Sequence, residues 1–92
     1  MIIRQDLPPG VAIAQTVHAA GETGPAHSGT YAVALAVRDE GQLLRTAVEL
    51  LRADVGFKLI RESDGQAMAI GIPPCQPTKG MRKVLSTLPL WR

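Results

Sequence analysis

The spacing of apolar residues along the chain predicts seven elements of secondary structure. Apolar runs, alternating or continuous, indicate strands at residues 2–5, 30–37, 57–61 and 66–72. Helices are expected from Pro9 to Gly21, from Asp39 to a stop before Gly56, and from Thr78 to a stop before Pro89. The order β-α-β-α-β-β-α predicts a single-domain α/β sandwich over residues 1–92, with helices on both faces of a four-stranded mixed sheet.

The first helix combines an apolar stripe with a polar edge. At 3.6 residues per turn, Ile13, Val17 and Ala20 share a stripe that we expect to face the sheet. The polar edge carries Val11, Gln15, His18 and Glu22. If the stripe is buried, Val17→Asp places an unpaired charge in the core and abolishes the cooperative melt.

Two strands alternate large and small apolar residues, which indicates burial on both faces. Alanines alternate with larger residues in 30–37, and Ala and Gly alternate with Met and Ile in 67–72. A strand buried on both sides belongs inside a sheet, so both strands are expected to be central. Residues 22–29 are rich in Gly, Pro and Ser and predict a loop.

Polar residues mark the ends of the later elements. Asp39 and Gln42 have the spacing of a capping box at the start of the second helix, and Thr78 can cap the third. The second helix has an apolar stripe of Leu43, Leu44, Ala47, Val48 and Leu51. Residues 62–65 (ESDG) predict the turn of a hairpin between the last two strands.

The composition argues against several classes of function. Aromatic residues make up 3% of the chain, too few for a base-stacking platform, and one cysteine with two histidines argues against a zinc site. His27 is expected to be solvent-exposed and Cys75 to be inert. Without a GxSxG, GxGxxG or P-loop motif, the sequence predicts no cofactor. The lack of a long apolar run or a secretion signal predicts a cytoplasmic protein without membrane contact.

The net charge of +2 is unevenly distributed along the chain. No acidic residue follows Asp64, whereas the expected last helix carries Lys79, Arg82 and Lys83. An unbalanced basic surface is suited to a phosphate-bearing partner such as RNA. The alternative is a solvated basic helix without a partner.

Several short segments follow one another in a recognisable order. The opening combines Arg4, the pair Asp6-Leu7, a glycine-containing turn and residues 14–19 (AQTVHA). Paired leucines in the second helix, residues 59–62 (LIRE) and residues 69–71 (AIG) follow. Over nearly the whole chain this order resembles the type-2 peptidyl-tRNA hydrolases. The resemblance implies an α/β fold, a homodimer, and cleavage of the ester that joins a peptide to tRNA.

The chain departs from the family pattern at three positions. The family lysine at the start of the first helix is absent, since residues 9–11 read Pro-Gly-Val. The family acid after the third strand corresponds to Glu62 or, in another alignment, to Asp64. A nearby family threonine has no counterpart in residues 65–67. The resemblance therefore supports the fold more strongly than the activity.

Ester hydrolysis needs a base that deprotonates water and donors that stabilise the oxyanion. His18 is one candidate base, with Asp6 to orient it and Gln15 to donate its amide to the oxyanion. Glu62 or Asp64 is the alternative base. Free amides at the helix start offer an anion site. Each residue also has a structural interpretation: Asp6 as a helix cap, Gln15 bonded to a strand end, and His18 as a partly buried histidine.

Two functions are therefore open from the sequence. One is a peptidyl-tRNA hydrolase, weak because family positions are altered. The other is a non-catalytic module on the same fold that binds RNA or a protein. The missing lysine favours the second, whereas Asp6, Gln15, His18 and Arg61 favour the first.

Overall fold

The computed structural model describes residues 1–23 and 33–91 and contains the predicted order of elements. The elements are β1 (Ile2–Arg4), α1 (Pro9–Glu22), β2 (Leu35–Val37), α2 (Glu40–Arg52), β3 (Lys58–Arg61), β4 (Ala67–Gly71) and α3 (Lys79–Leu85). His27, most of the expected loop at residues 22–29 and the start of the second predicted strand lie outside the described residues. The predicted α/β class is confirmed.

The four strands form one mixed sheet in the order β2-β1-β4-β3. β1 pairs in parallel with β2, and β4 runs antiparallel to both β1 and β3. One end of the sheet, which we call the carboxyl end, is therefore where β1, β2 and β3 finish and β4 begins. Two apolar clusters cover opposite faces of the sheet: Ile3 packs on the α1 side, and Ile2 on the α2 and α3 side.

β4 is central, as predicted, but the second strand is not. β2 lies at an edge of the sheet, where the end of the chain runs beside it. Ala36 N donates to Pro89 O at 2.8 Å, and Trp91 N donates to Ala34 O at 2.9 Å. The last residues of the chain, rather than a second strand of the sheet, cover the outer edge of this apolar strand.

β4 also departs from the strict alternation expected of it. Ile60 pairs with Ala69 while Arg61 pairs with Ala67, so Met68 is an extra residue in β4. Ala67 and Ile70 accordingly pack in one cluster, and Met68 and Ala69 in the other. This bulge lies at the carboxyl end of the sheet.

α1 packs on the sheet with a different face from the predicted one. Ala12 and Ala19 are buried, whereas Ile13 and Val17 are 66% and 68% exposed. A Cβ atom on Gly71 would lie 2.9 Å from Ala19 O, so the helix backbone is too close to β4 for branched side chains between them. The predicted burial of Ile13, Val17 and Ala20 is wrong, because small side chains are what this close approach admits.

The caps of the later helices follow the sequence closely. Asp39 Oδ1 accepts from Gln42 N at 2.9 Å, while Gln42 Oε1 accepts from Arg38 N at 2.7 Å. Thr78 Oγ1 accepts from Met81 N at 3.1 Å. Two details differ. The chain leaves α2 through Asp54, with φ of 59°, and not through Gly56. In α2 the buried leucines are Leu43 and Leu50, whereas Val48 and Leu51 are exposed.

Candidate functional site at the carboxyl end of the sheet

Arg4, the last residue of β1, is the buried charge at the carboxyl end. Its Nε donates to Asp6 Oδ1 at 2.9 Å and its Nη2 to Asp6 Oδ2 at 2.8 Å. Its Nη1 donates to Ala67 O at 3.1 Å and to Gln66 Oε1 at 3.3 Å. A buried guanidinium is tolerated here because a bidentate carboxylate and a backbone carbonyl satisfy it.

This ion pair sets the electrostatics of the two residues. The hydrogen bond from Arg4 lowers the pKa of the Asp6 carboxyl, and the hydrogen bond to Asp6 raises the pKa of Arg4. Asp6 does not cap α1, since the N-cap is Pro8 and makes no side-chain capping bond within the described chain. Nor does Asp6 orient His18, because its carboxylate is bound to Arg4. Both of those sequence interpretations of Asp6 are wrong.

Gln15 and Glu62 meet across the face of the sheet that carries α1. Gln15 Nε2 donates to Glu62 Oε1 at 2.8 Å. Gln15 Oε1 is buried and accepts no hydrogen bond from any described residue. This amide orientation presents an N–H to a carboxyl oxygen, which is an acceptor. The interpretation that Gln15 bonds a strand end is confirmed, since Glu62 directly follows β3.

Glu62 and Asp64, the two candidates for the family acid, occupy different environments. Asp64 Oδ1 accepts from Gln66 N at 3.0 Å and closes the turn between β3 and β4. Both residues are exposed, but the side chain of Glu62 reaches α1. The geometry therefore brings Glu62, and not Asp64, to the polar edge of the first helix.

His18 lies farther from the carboxyl end than the sequence suggested. Its Nε2 is 3.4 Å from Glu22 Oε1, and both side chains are about half exposed. α1 runs away from the carboxyl end, because Ala19 packs on Gly71 at the far end of β4. At 1.5 Å per residue, about 14 Å of helix axis separate His18 from Pro9. His18 and Asp6 therefore belong to different regions of the protein.

Lys79, Arg82 and Lys83 are exposed on α3, as predicted. They lie on the face of the sheet opposite to α1. A Cβ atom on Gly80 would be 3.3 Å from Ala53 Cβ, which places the start of α3 beside the end of α2. The candidate catalytic residues and the candidate RNA-binding residues are therefore separated within one copy of the chain.

Three residues that shape this end of the sheet, Arg4, Glu40 and Gln66, were assigned no role from the sequence. Arg4 ends β1 and Asp6 follows two residues later in the turn, a short spacing that could have revealed their pairing. Glu40 Oε2 accepts from Ala67 N at 2.6 Å, and Gln66 bonds Arg4. Those two contacts depend on strand register, which has no local signal in the sequence.

An apolar groove borders the other side of α1. Its volume is about 180 Å³, and it is lined by Ile3, Ala12, Ile13, Thr16, Val17, Ala34 and Trp91. The indole Nε1 of Trp91 donates to Arg4 O at 3.4 Å, which fixes the ring beside β1.

Cys75 is exposed, and its thiol lies 3.9 Å from Met81 Sδ.

The comparisons with known proteins add no family. No family model matches the chain, and no curated protein matches its sequence. Within residues 1–23 and 33–91, no cluster of three His, Cys, Asp or Glu side chains is arranged to hold a metal ion. In the same part of the chain, no helix is both long and apolar enough to cross a membrane.

Proposed function

We propose that the protein hydrolyses the ester between peptide and tRNA, with Glu62 as the base and Gln15 as its partner. The contact of 2.8 Å between their side chains carries the proposal. Two of the segments that carry the resemblance to type-2 peptidyl-tRNA hydrolases, residues 14–19 and 59–62, are far apart in sequence. Their polar side chains meet at one place, as a shared site requires.

In the proposed reaction, Glu62 takes a proton from a water molecule as the water attacks the ester carbonyl carbon. The carbonyl oxygen becomes an oxyanion in a tetrahedral intermediate. Collapse of the intermediate breaks the bond to the ribose oxygen of tRNA, which receives the proton from Glu62. Gln15 holds the carboxylate in place, and the exposure of the Glu62 side chain gives water access to it.

The start of α1 offers donors for the oxyanion or for a phosphate. Ala12 N, bonded to Pro8 O at 2.9 Å, is the first amide with a helical acceptor, so Gly10 N and Val11 N have no helical acceptor and can donate to a ligand. By helix geometry, Gly10 lies about 8 Å along the axis from Gln15. Because Val11 stands where the family has lysine, a transition-state cation is missing and turnover is expected to be weak.

The tRNA is proposed to contact Lys79, Arg82 and Lys83 through its phosphates. Replacing all three by alanine should flatten the salt dependence of tRNA binding by nearly three phosphate equivalents, and an unchanged slope would make α3 a solvated helix.

The protein is also proposed to form a homodimer, as the resemblance implies. Light scattering that shows only 9.8 kDa at micromolar concentration would exclude the homodimer.

A second function is favoured by one observation. Val11 replaces the family lysine, and a protein without that cation can serve as a non-catalytic module that binds RNA or a protein. In that case the protein binds tRNA but cleaves no detectable ester. Measuring binding and cleavage on the same preparation therefore distinguishes the two functions.

The deciding experiment measures release of tRNA from an N-blocked aminoacyl-tRNA. Glu62→Gln should lower the rate by about 100-fold or more, since it removes the base but keeps the shape. Asp64→Asn is the matched control in the same turn and should retain activity. Val11→Lys should raise the rate, by at most about 100-fold.

Two results would contradict the proposal. If His18→Ala abolishes cleavage and Glu62→Gln does not, the base is His18. If the wild-type protein binds tRNA but releases none, and Val11→Lys also releases none, the protein is a binding module. Thermal melts of all variants exclude misfolding as the cause.

A further inference from the structure

Two turns determine where Gln15 and Glu62 lie relative to each other. The turn at residues 5–8 leads directly from β1 into α1, which carries Gln15. The turn at residues 62–66 joins β3 to β4 and carries Glu62. A shift of either turn changes the distance between the two side chains.

The second turn is closed by bonds of its own. Gly65 N donates to Glu62 O at 2.9 Å, and Glu62 N donates to Gln66 O at 2.9 Å. Arg61 Nη1 donates to Gly65 O at 2.7 Å. These bonds define the shape of the turn, but none of them reaches β1 or α1.

Arg4 is bonded to both turns at once. Two of its nitrogens hold the carboxylate of Asp6 in the first turn. Nη1 reaches Gln66 Oε1 in the second turn and the carbonyl of Ala67 just beyond it. A planar guanidinium with five donors can bind acceptors on two sides, whereas the ammonium of lysine is a compact point charge.

The backbone of Ala67 is bonded through its amide as well as through its carbonyl. Ala67 N donates to Glu40 Oε2 at 2.6 Å, so a cation binds the carbonyl of Ala67 and an anion binds its amide. Ala67 precedes Met68, the extra residue of the bulge. Bulges redirect the chain at the ends of strands, and this one is fixed by side chains from β1 and α2.

We infer that Arg4 is a positioning residue that sets the contact between Gln15 and Glu62 by tying the two turns together. The catalytic consequence rests on the proposed function. The geometric consequence does not, because the contact between the two side chains is measurable without a substrate.

The first experiment follows the side-chain amide of Gln15 by NMR during a pH titration, with Gln15→Ala used to assign its signals. In the wild-type protein these signals should move with pH, and Glu62→Gln should abolish the movement. Arg4→Lys should reduce the movement to less than half. Arg45→Lys, at an exposed position of α2 outside both turns, should leave it unchanged.

Gln66→Ala is the second variant, because Gln66 is exposed and its replacement leaves the ion pair with Asp6 intact. It should reduce the movement by less than Arg4→Lys does. If Arg4→Lys does not fold, Gln66→Ala decides alone. If the Gln15 signals move as far as in the wild-type protein in every folded Arg4 or Gln66 variant, the inference is overturned.

The second experiment is kinetic. Arg4→Lys should lower kcat for tRNA release by about 10- to 100-fold, since misplacement by about 1 Å has effects of this size, and should leave KM within about twofold. An unchanged kcat in the folded variant would overturn the catalytic role. If the wild-type protein releases no tRNA, the proposed function fails and the NMR titration alone judges the positioning.

Discussion

The two sides of α1 differ in chemistry and in what they contact. On the side facing β3, which we call the polar flank, Gln15 bonds Glu62 and His18 pairs with Glu22. On the side facing β1 and Trp91, which we call the apolar flank, Ile13 and Val17 are exposed beside a groove. Between the flanks lies a buried stripe of alanine.

This difference shows that side-chain size, more than hydrophobicity, selects the buried face of α1. Ala12 and Ala19 are buried because the helix lies close to β4, and Gly71 has no side chain to prevent that approach. Larger aliphatic residues are displaced to the apolar flank. The polar flank is then free to meet the turn between β3 and β4.

The largest expected effect separates the buried stripe from the apolar flank. Ala19→Asp should cost about 3–5 kcal/mol, because it buries an unpaired charge against the sheet. Val17→Asp, two residues earlier but exposed, should change the free energy of unfolding by about 0.5 kcal/mol or less. Urea denaturation measures both. Equal losses in the two variants would mean that the helix is rotated from the described position.

A smaller effect tests the close approach itself. Gly71→Ala should cost about 1–3 kcal/mol, since the new methyl group would lie 2.9 Å from Ala19 O, a backbone atom that cannot move alone. Gly21→Ala is the control, placed in α1 two residues after Ala19. No atom of residues 1–23 or 33–91 lies within 4 Å of its added Cβ, and it should stabilise the protein by about 0.5–1 kcal/mol. A neutral Gly71→Ala would contradict the packing argument.

The smallest effect is a pH dependence at the carboxyl end of the sheet. Arg4 lowers the pKa of Asp6 below its ordinary value of 3.8 in the folded protein. Asp6 therefore stabilises the fold above the unfolded-state pKa, and this contribution is lost as the pH falls through the lower, folded-state pKa. Asp6 is 41% exposed, so solvent screening keeps the contribution small.

Urea denaturation of the wild-type protein and Asp6→Asn at several pH values isolates this contribution. The difference in free energy of unfolding between the two should be largest near neutral pH and should shrink below about pH 4, where the unfolded-state carboxyl titrates. A difference that is constant with pH would show that the ion pair adds no stability.

The sequence predicts most of the fold because its strongest signals are local. The order of elements, the caps at Asp39 and Thr78 and the turn before β4 all depend on neighbouring residues, and each is present. The face of α1 and the edge position of β2 were predicted wrongly. Both are decided by contacts distant in sequence, with Gly71 in one case and Trp91 in the other.

The candidate site was predictable in its members but not in its arrangement. Gln15 and Glu62 could be named from short segments, yet their contact spans 47 positions and requires the sheet order. Sequence proximity pairs Asp6 with His18, whereas the turn after β1 brings Asp6 to Arg4. A buried arginine that serves two turns leaves no periodic pattern in the sequence.

A kinetic double-mutant cycle on Gln15 and Glu62 tests the central claim most directly. The rate of tRNA release is measured for the wild-type protein, Gln15→Ala, Glu62→Gln and the double variant. If the two side chains act as one unit, the double variant should be no slower than Glu62→Gln alone. Independent, multiplying losses would contradict a shared site, and so would a wild-type rate in Glu62→Gln.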